Sequence, residues 1–355
     1  MIDRAASAHK RAVSKRWEVM PHRPRTSILL PVFDAVETLP SCLRSIQRQT
    51  DPDWECIAID DGSSDRGTDV VREFSAIDAR FRLLERPHRG LVPTLADGIA
   101  HCRGRFVARM DADDWMCRDR IAAQSAALER NLSLAAVGSR VRLFPRRDLR
   151  DGMRAYERWL NAIDSPRKLR TEAFVECPVA HPSLMIRSEV LRAHPYRDCG
   201  WPEDYDLVLR LLAAGLELDV VPRRLLAWRD RPSRLSRTSE TYSIERFTAC
   251  KAAHLASSFL ANSNAYALWG YGGTGRKLQN ALRQRGKRPS AILELHPGRL
   301  GNAIAGAPVV HPDEWLRAPE QPLVVSVAGA VARAQIRAAL DRVGLSDGVD
   351  YVCAA

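Results

Sequence analysis

Apolar residues along this chain fall into two rhythms. From Thr26 onward, short unbroken apolar runs (TSILLPVF, WECIAID, FRLLE, RFVARM) alternate with stretches in which apolar positions recur every three or four residues. The unbroken runs read as strands buried on both faces, and the wider spacing reads as amphipathic helix. Residues 37–49 place Leu39, Leu43 and Ile46 on one helical face, DRGTDVVREFSAI predicts a second helix, and 92–102 a third. Strands alternating with helices of this size predict an α/β fold with a mostly parallel sheet between helices. Such sheets bind ligands beyond the carboxyl ends of their strands. Between 140 and 260 the pattern is less regular and richer in Arg and Pro, and the polar stretch from about 239 to 260 reads as a long helix. YALWGYGGTGRKL then opens a second strand–glycine–helix unit, with further apolar runs near 291, 309 and 324. The expected organisation is an arm over 1–25, an α/β domain over 26–238, a helical connector over 239–263 and a small Rossmann-like α/β domain over 264–355.

Composition narrows this picture in three ways. A chain of 355 residues is long for one core, so two domains are expected. No apolar run approaches the roughly 18 residues of a membrane span, and the N-terminus lacks an apolar secretory segment, so neither span nor signal peptide is expected. Eight cysteines lie scattered without a CxxC pair, which fits a reducing, cytoplasmic compartment and not a disulfide or zinc framework. The net charge of +11 admits nucleic acid, an anionic membrane surface or a phosphate-bearing substrate as partner. Part of it is local: Arg4, Lys10, Arg11, Lys15, Arg16, Arg23 and Arg25 face only Asp3 and Glu18 in the first 25 residues. That arm reads either as a solvated chain end or as a peripheral contact with anionic lipid at the inner face of a membrane.

The chemistry gathers in three acidic segments. IDDGSSD puts Asp60 and Asp61 at the end of the second predicted strand, where they suit hydrogen bonds from a base or ribose, although Ser63, Ser64 and Asp65 also make good helix caps. ARMDADDW ends the fourth strand in Asp111, Asp113 and Asp114. In an extended turn residues i and i+2 point the same way, so Asp111 and Asp113 can share a hard divalent cation, Mn²⁺ or Mg²⁺, with a diphosphate supplying further oxygens. GWPEDYDLVLRL opens a helix with Glu203 and Asp204. These either complement the helix dipole or present a general base beside Trp201.

Taken together and in order, SILLPVFDAVETLPSCLRSIQRQTDPDWECIAIDDGSSD, GRFVARMDADDWMCRDRIAAQ with Arg120 and Gln124, HPSLMIRSEVL and EDYDLVLRL resemble the bacterial family 2 glycosyltransferases of the GT-A fold, over about 26–240. The resemblance implies an inverting, nucleotide-sugar-dependent transferase of cell-surface polysaccharide or glycolipid synthesis. Its partners would be a nucleoside diphosphate sugar donor and a saccharide or lipid-linked acceptor, and no nucleic acid. It implies that Pro31, Asp34, Asp60, Asp61 and Asp111 contact the donor nucleotide. Asp111 and Asp113 would hold the metal, and Asp204, with Glu203 as second candidate, would be the base. His181 and Trp201 would lie on the acceptor side. Two positions depart from the family. WRDRPSRLSR places Arg231 where relatives carry a His, leaving Arg229, Arg231 and Arg234 either to bind diphosphate or to form a solvated basic loop. Position 97 is Asp where many members carry Asn.

The C-terminal GYGGTG satisfies G-x-G-x-x-G with Gly270, Gly272 and Gly275 between a strand and a helix, and Glu294 closes the next strand. A nucleotide in this domain is therefore an expectation, with Arg276 placed to favour phosphate. The loop alone supports the rival reading of an NAD(P)-dependent oxidoreductase, which leaves the acidic turns unexplained. A nucleotide-sugar-binding regulatory protein is the non-catalytic alternative.

Overall fold

The apolar runs assemble into two sheets. In a computed structural model describing residues 23–319 and 322–355, the first sheet contains eight strands. They are β1 (Thr26–Val32), β2 (Trp54–Asp60), β3 (Phe81–Glu85), β4 (Phe106–Arg109), β5 (Trp115–Met116), β6 (Leu134–Phe144), β7 (Met185–Arg187) and β8 (Glu217–Arg229). Most of the expected basic arm, including Arg4, Lys10, Arg11, Lys15 and Arg16, lies outside the described residues. The strand order is β3-β2-β1-β4-β7-β6-β8-β5. β1 to β4 run parallel, β7 is antiparallel to both β4 and β6, and β6 and β8 are parallel.

Local sequence explains the layering. β1, β2 and β4 are almost wholly buried, as strands covered on both faces must be. The helix Leu39–Gln47 buries Leu39, Cys42, Leu43 and Ile46 on one stripe and starts with Pro40 in its first turn. The helix Leu91–His101 packs so close to the sheet that a Cβ on Gly98 would meet Leu29 Cδ1 at 2.4 Å and Ile59 Cδ1 at 2.5 Å. Because β1, β2 and β4 point the same way, their carboxyl ends share one edge, and Asp60, Asp61 and Asp111–Asp114 arrive there together.

The second sheet comprises β9 (Ala265–Trp269), β10 (Arg288–Leu293), β11 (Ala303–Ile304), β12 (Ala307–Val310), β13 (Leu323–Val325) and β14 (Tyr351–Cys353), in the order β11-β12-β10-β9-β13-β14 and parallel except for β11. The connector is shorter than its polar pattern suggests: a 3₁₀ turn at Glu240–Tyr242 precedes the helix Ile244–Ser257, where Ser243 accepts from Arg246 N and caps the start. Among the described residues no helix is long and apolar enough to cross a membrane.

The segment 172–177 joins the two sheets. Phe174 packs against both the first core and the core of the second sheet, and Val175 against the outer part of the latter. Lys251, buried on the connector, donates to Val175 O at 3.1 Å and Ala354 O at 2.7 Å. Arg337 bridges Glu172 at 2.6 Å and Asp347 at 2.7 Å. Removing Arg337 leaves the half-buried Asp347 without its cation and the buried Glu172 with Trp159 alone, so Arg337→Ala is expected to lower stability in urea by about 2 kcal/mol. An unchanged unfolding midpoint would show that the bridge is decorative.

Candidate active site

At the carboxyl edge of the first sheet lies a cavity of about 560 Å³. One wall comes from the end of β1 (Pro31, Val32, Phe33, Ala35) and from Asp61 and His88. A second comes from Arg109, Asp111, Ala112 and Asp113, a third from His181, Glu203 and Asp204, and the fourth from Trp228, Arg231, Arg234 and Tyr242. The three acidic segments, far apart in sequence, therefore face one space.

The glycine-rich turn is fixed from within. Asp60 accepts from Gly62 N at 3.2 Å, Ser63 N at 3.1 Å and the Ser63 hydroxyl. Asp34, at φ +44, accepts from Ser64 N at 2.8 Å and Asp65 N at 3.3 Å. Neither carboxylate lines the cavity; both shape its rim. Asp61 does line it, accepting from Arg89 N at 3.0 Å and Gly90 N at 2.8 Å, with His88 Nδ1 2.9 Å away. The Asp at position 97 has a local reason. It pairs with Arg86 at 2.5 Å, and the same guanidinium reaches Asp61 at 3.3 Å.

The strand-end carboxylates are set against cations, one of them buried. Asp111 is bonded by Arg109, whose side chain is 5% exposed, and Asp113 lies 3.1 Å from Arg231 Nε. Asp114 is buried; its Oδ1 accepts from Arg229 N at 2.7 Å, while its Oδ2 has no hydrogen-bond partner among the described residues. Burial and then Asp111 raise the pKa of both Asp113 and Asp114. Oxygens of the three carboxylates come within 4.8 Å of one another. This crowded set of hard oxygens, one of them orphaned, fits a Mg²⁺ or Mn²⁺ ion. Arg229 itself faces away from the cavity, its guanidinium 4.5 Å over the Phe144 ring and its Nε donating to Asp113 O.

Opposite stand Glu203 and Asp204 in the first turn of the helix Glu203–Ala213. Glu203 accepts from the Tyr242 hydroxyl at 2.6 Å and lies 3.5 Å from His181 Nδ1. Asp204 accepts only from Tyr205 N among the described residues, at 2.7 Å. Burial first, and Asp204 second, push the Glu203 pKa up to about 7, and burial raises that of Asp204. His181 shares a 2.7 Å hydrogen bond with Tyr196, and burial, then Arg109, keep its ring neutral. Trp201 does not reach the cavity: its Nε1 donates to Asp206 Oδ1 at 3.2 Å, which also meets His254 at 3.0 Å and so ties this helix to the connector. Tyr242 and Arg109 escaped sequence reasoning. Tyr242 lies in the polar connector without a motif, and Arg109 reads as part of an apolar strand.

In the second sheet, Gly270 has φ +96, and a Cβ on Gly275 would strike Gly270 O at 2.2 Å, so both glycines are required by the turn. Gly272 faces open space. Glu294 is engaged by Arg299 at 2.8 Å, which also donates to Tyr271 O at 3.2 Å.

A mostly parallel sheet with acidic turns converging on its carboxyl edge defines the GT-A class of sugar-nucleotide transferases. Residues 27–194, a little under half of the chain, match glycosyl transferase family 2. It is 26% identical over 238 residues to EpsE of Bacillus subtilis, covering 64% of this chain and 82% of that protein. It is 33% identical over 109 residues to WfgD of Escherichia coli, a UDP-Glc:alpha-D-GlcNAc-diphosphoundecaprenol beta-1,3-glucosyltransferase. That match covers 30% of this chain and 42% of WfgD, so the chain spans less than half of that relative. The crystal structure of S. aureus TarS 1-349 in complex with UDP-GlcNAc shares the fold, with a TM-score of 0.52 and 13% identity over 74% of this chain and 72% of that one.

The raised pKa of Glu203 has a stability consequence. Unfolded, a glutamate titrates near about 4.3, so the unfolded chain loses the proton first. Stability then falls as pH rises from about 4.3 to about 7, and the full penalty persists above. Glu203→Gln keeps an acceptor for Tyr242 and removes the charge. Its unfolding temperature is expected to exceed wild type by a few degrees at pH 8 and by much less at pH 5; an equal gain at both would refute the buried-charge account.

Proposed function

We propose that the chain transfers a sugar, with inversion, from a nucleoside diphosphate sugar to an acceptor hydroxyl. The observation that carries this is the cavity itself, where the carboxylates at the end of β4 face the pair Glu203–Asp204. The donor's base and ribose would lie along Pro31, Phe33 and Asp61, on a rim shaped by Asp34 and Asp60. Asp111 and Asp113 would hold a divalent cation, which when bound offsets diphosphate charge. Arg231, which stands where the family resemblance implies a histidine, and Arg234 would shift from their resting contacts onto the diphosphate oxygens. Trp228 and His181 line the acceptor side, and the WfgD match supports a saccharide or lipid-linked acceptor.

Asp204 is the base in this reading. It makes a single bond to its own helix, leaving one oxygen to receive the acceptor's proton. The acceptor oxygen bonds to the anomeric carbon from the face opposite the diphosphate. The anomeric carbon–oxygen bond breaks, its electron pair leaves with the diphosphate, and the proton passes to Asp204. Glu203, held by Tyr242, positions the base and tunes its charge.

The second sheet is a Rossmann-like module that scaffolds the transferase. Glu294 is held by Arg299 and is therefore not free for a ribose, although Gly272 leaves room for a phosphate at a helix N-terminus. Redox chemistry is disfavoured because the loop lies away from the acidic cavity and brings no catalytic set with it.

Two substitutions test the assignment. Asp204→Asn should lose about 10²–10⁴ of turnover and keep donor binding in calorimetry; if Glu203→Gln is dead and Asp204→Asn active, the roles are exchanged. Asp113→Ala should abolish the Mn²⁺-dependent part of UDP or GDP affinity, and undiminished metal dependence would remove the cation from Asp111 and Asp113.

A further inference from the structure

A second cavity, of about 840 Å³, lies between β6, β8 and the helix Asp151–Asn161. Arg140, Arg146, Arg154, Arg158, Arg223 and Arg224 line it, against one carboxylate, Glu157. That carboxylate is already committed. β7 pairs with β6 only at Ala136 and Val137, so further along β6 one edge needs other partners. Glu157 accepts from Leu143 N at 3.0 Å there, and Asn161 exchanges two 2.8 Å bonds with Val141. The other Glu157 oxygen takes Arg146. Arg223 pairs with Asp119 at 2.7 Å. Arg140, Arg154, Arg158 and Arg224 have no carboxylate partner among the described residues.

Part of this charge is preorganised. Arg154 is held by Arg146 O at 2.6 Å and Leu149 O at 3.3 Å, and Arg140 by Pro222 O at 3.3 Å, with its Nε buried and lacking an acceptor among the described residues. Backbone carbonyls fix these guanidinia without neutralising them. Register brings Arg140 opposite Arg224 at an irregularity in the β6–β8 ladder, so both cations belong to one short stretch of the cleft wall. Such an arrangement is relieved by an anion with several oxygens, and planar guanidinia match phosphate oxygens two at a time.

We propose that this cleft is a second anion site, distinct from the donor cavity, built for a phosphate- or diphosphate-bearing group. β8 runs on from Arg224, which lines the cleft, to Trp228, which lines the donor cavity. The helix Asp151–Asn161 borders both: Tyr156 packs on Trp228 at 6.3 Å between centroids, while Arg154 and Arg158 line the cleft. A group anchored by phosphate in the cleft could thus extend towards the catalytic edge. The site rests on the cleft's own charges and stands whether or not the transferase reading does.

The full-length chain tests it with inorganic pyrophosphate as probe, in EDTA to silence metal-dependent binding at the acidic cluster. Calorimetry is run on wild type, Arg158→Glu/Arg224→Glu, and Arg231→Ala/Arg234→Ala. Arg158 and Arg224 are exposed and their side chains make no hydrogen bond among the described residues, so their replacement spares the fold, and a Gln/Gln pair serves as a second variant. The cleft variants should weaken pyrophosphate by at least about tenfold, and by the same factor when they are made in the Arg231→Ala/Arg234→Ala background, which removes any binding by the donor cavity. Pelleting with phosphatidylglycerol vesicles separates the sources. Pelleting lost in the cleft variants assigns a lipid headgroup; pyrophosphate binding lost with pelleting unaffected assigns a soluble phosphate. Equal pyrophosphate affinity and equal pelleting in wild type and cleft variants, or no binding of either probe, overturns the proposal.

Discussion

Buried like charge at one sheet edge is the constraint around which this molecule is arranged. Asp111, Asp113, Asp114, Glu203 and Asp204 converge on one cavity or its floor, and burial raises the pKa of Asp113, Asp114, Glu203 and Asp204. Arg109 is the cation set among them, bonded to Asp111 at one side of the cavity that Glu203 and Asp204 close. A second buried arginine, Arg120, supports the first: it donates to Arg109 O at 2.8 Å and to Gln124 at 2.9 Å. Gln124 in turn donates to Val137 O and Ser183 O, which fixes β6 and the turn carrying His181. Without these cations the carboxylates would repel or take up protons, and the site would lose both shape and charge.

The carboxylates were legible in the sequence because each sits in a short local pattern, an apolar run ending in acids or a helix beginning with them. The parallel strands were legible for the same reason. Arg109 was not, since a cation inside FVARM looks like a solvent-facing strand position, and its burial beside Asp111, Tyr196 and Glu203 is made by distant segments. Asp34 and Asp60 show the opposite failure. Their motif is local, but their carboxylates are consumed by Ser63, Ser64 and Asp65, so they build the rim without facing the cavity. Tyr242 reaches Glu203 across 39 residues, and no periodicity encodes such a contact.

Position 231 illustrates how one departure alters the electrostatics of a whole cavity. An imidazole there would be a neutral ligand near physiological pH. Arg231 brings a permanent charge to 3.1 Å from Asp113, and Arg234 stacks 4.3 Å over Trp228 beside it. In the resting site these cations share the work of charge compensation with any bound metal, and the approach of a diphosphate offers them better acceptors.

The second sheet reaches the catalytic edge through the segment 172–183. Glu172 holds Arg337 from the second sheet's last helix and Trp159 from the helix bordering the arginine cleft. One residue on, Ala173 O accepts from the hydroxyl of Tyr205, the neighbour of Asp204. Phe174 and Val175 then enter the cores of the second sheet, and Val175 O takes the buried Lys251. Burial lowers the Lys251 pKa to about 8, so this contact depends on staying dry. The chain next delivers His181 and Pro182 to the cavity. A segment clamped by both sheets sets the distance between His181 and Glu203, which makes the second sheet part of the active-site scaffold even where its own glycine loop does no chemistry.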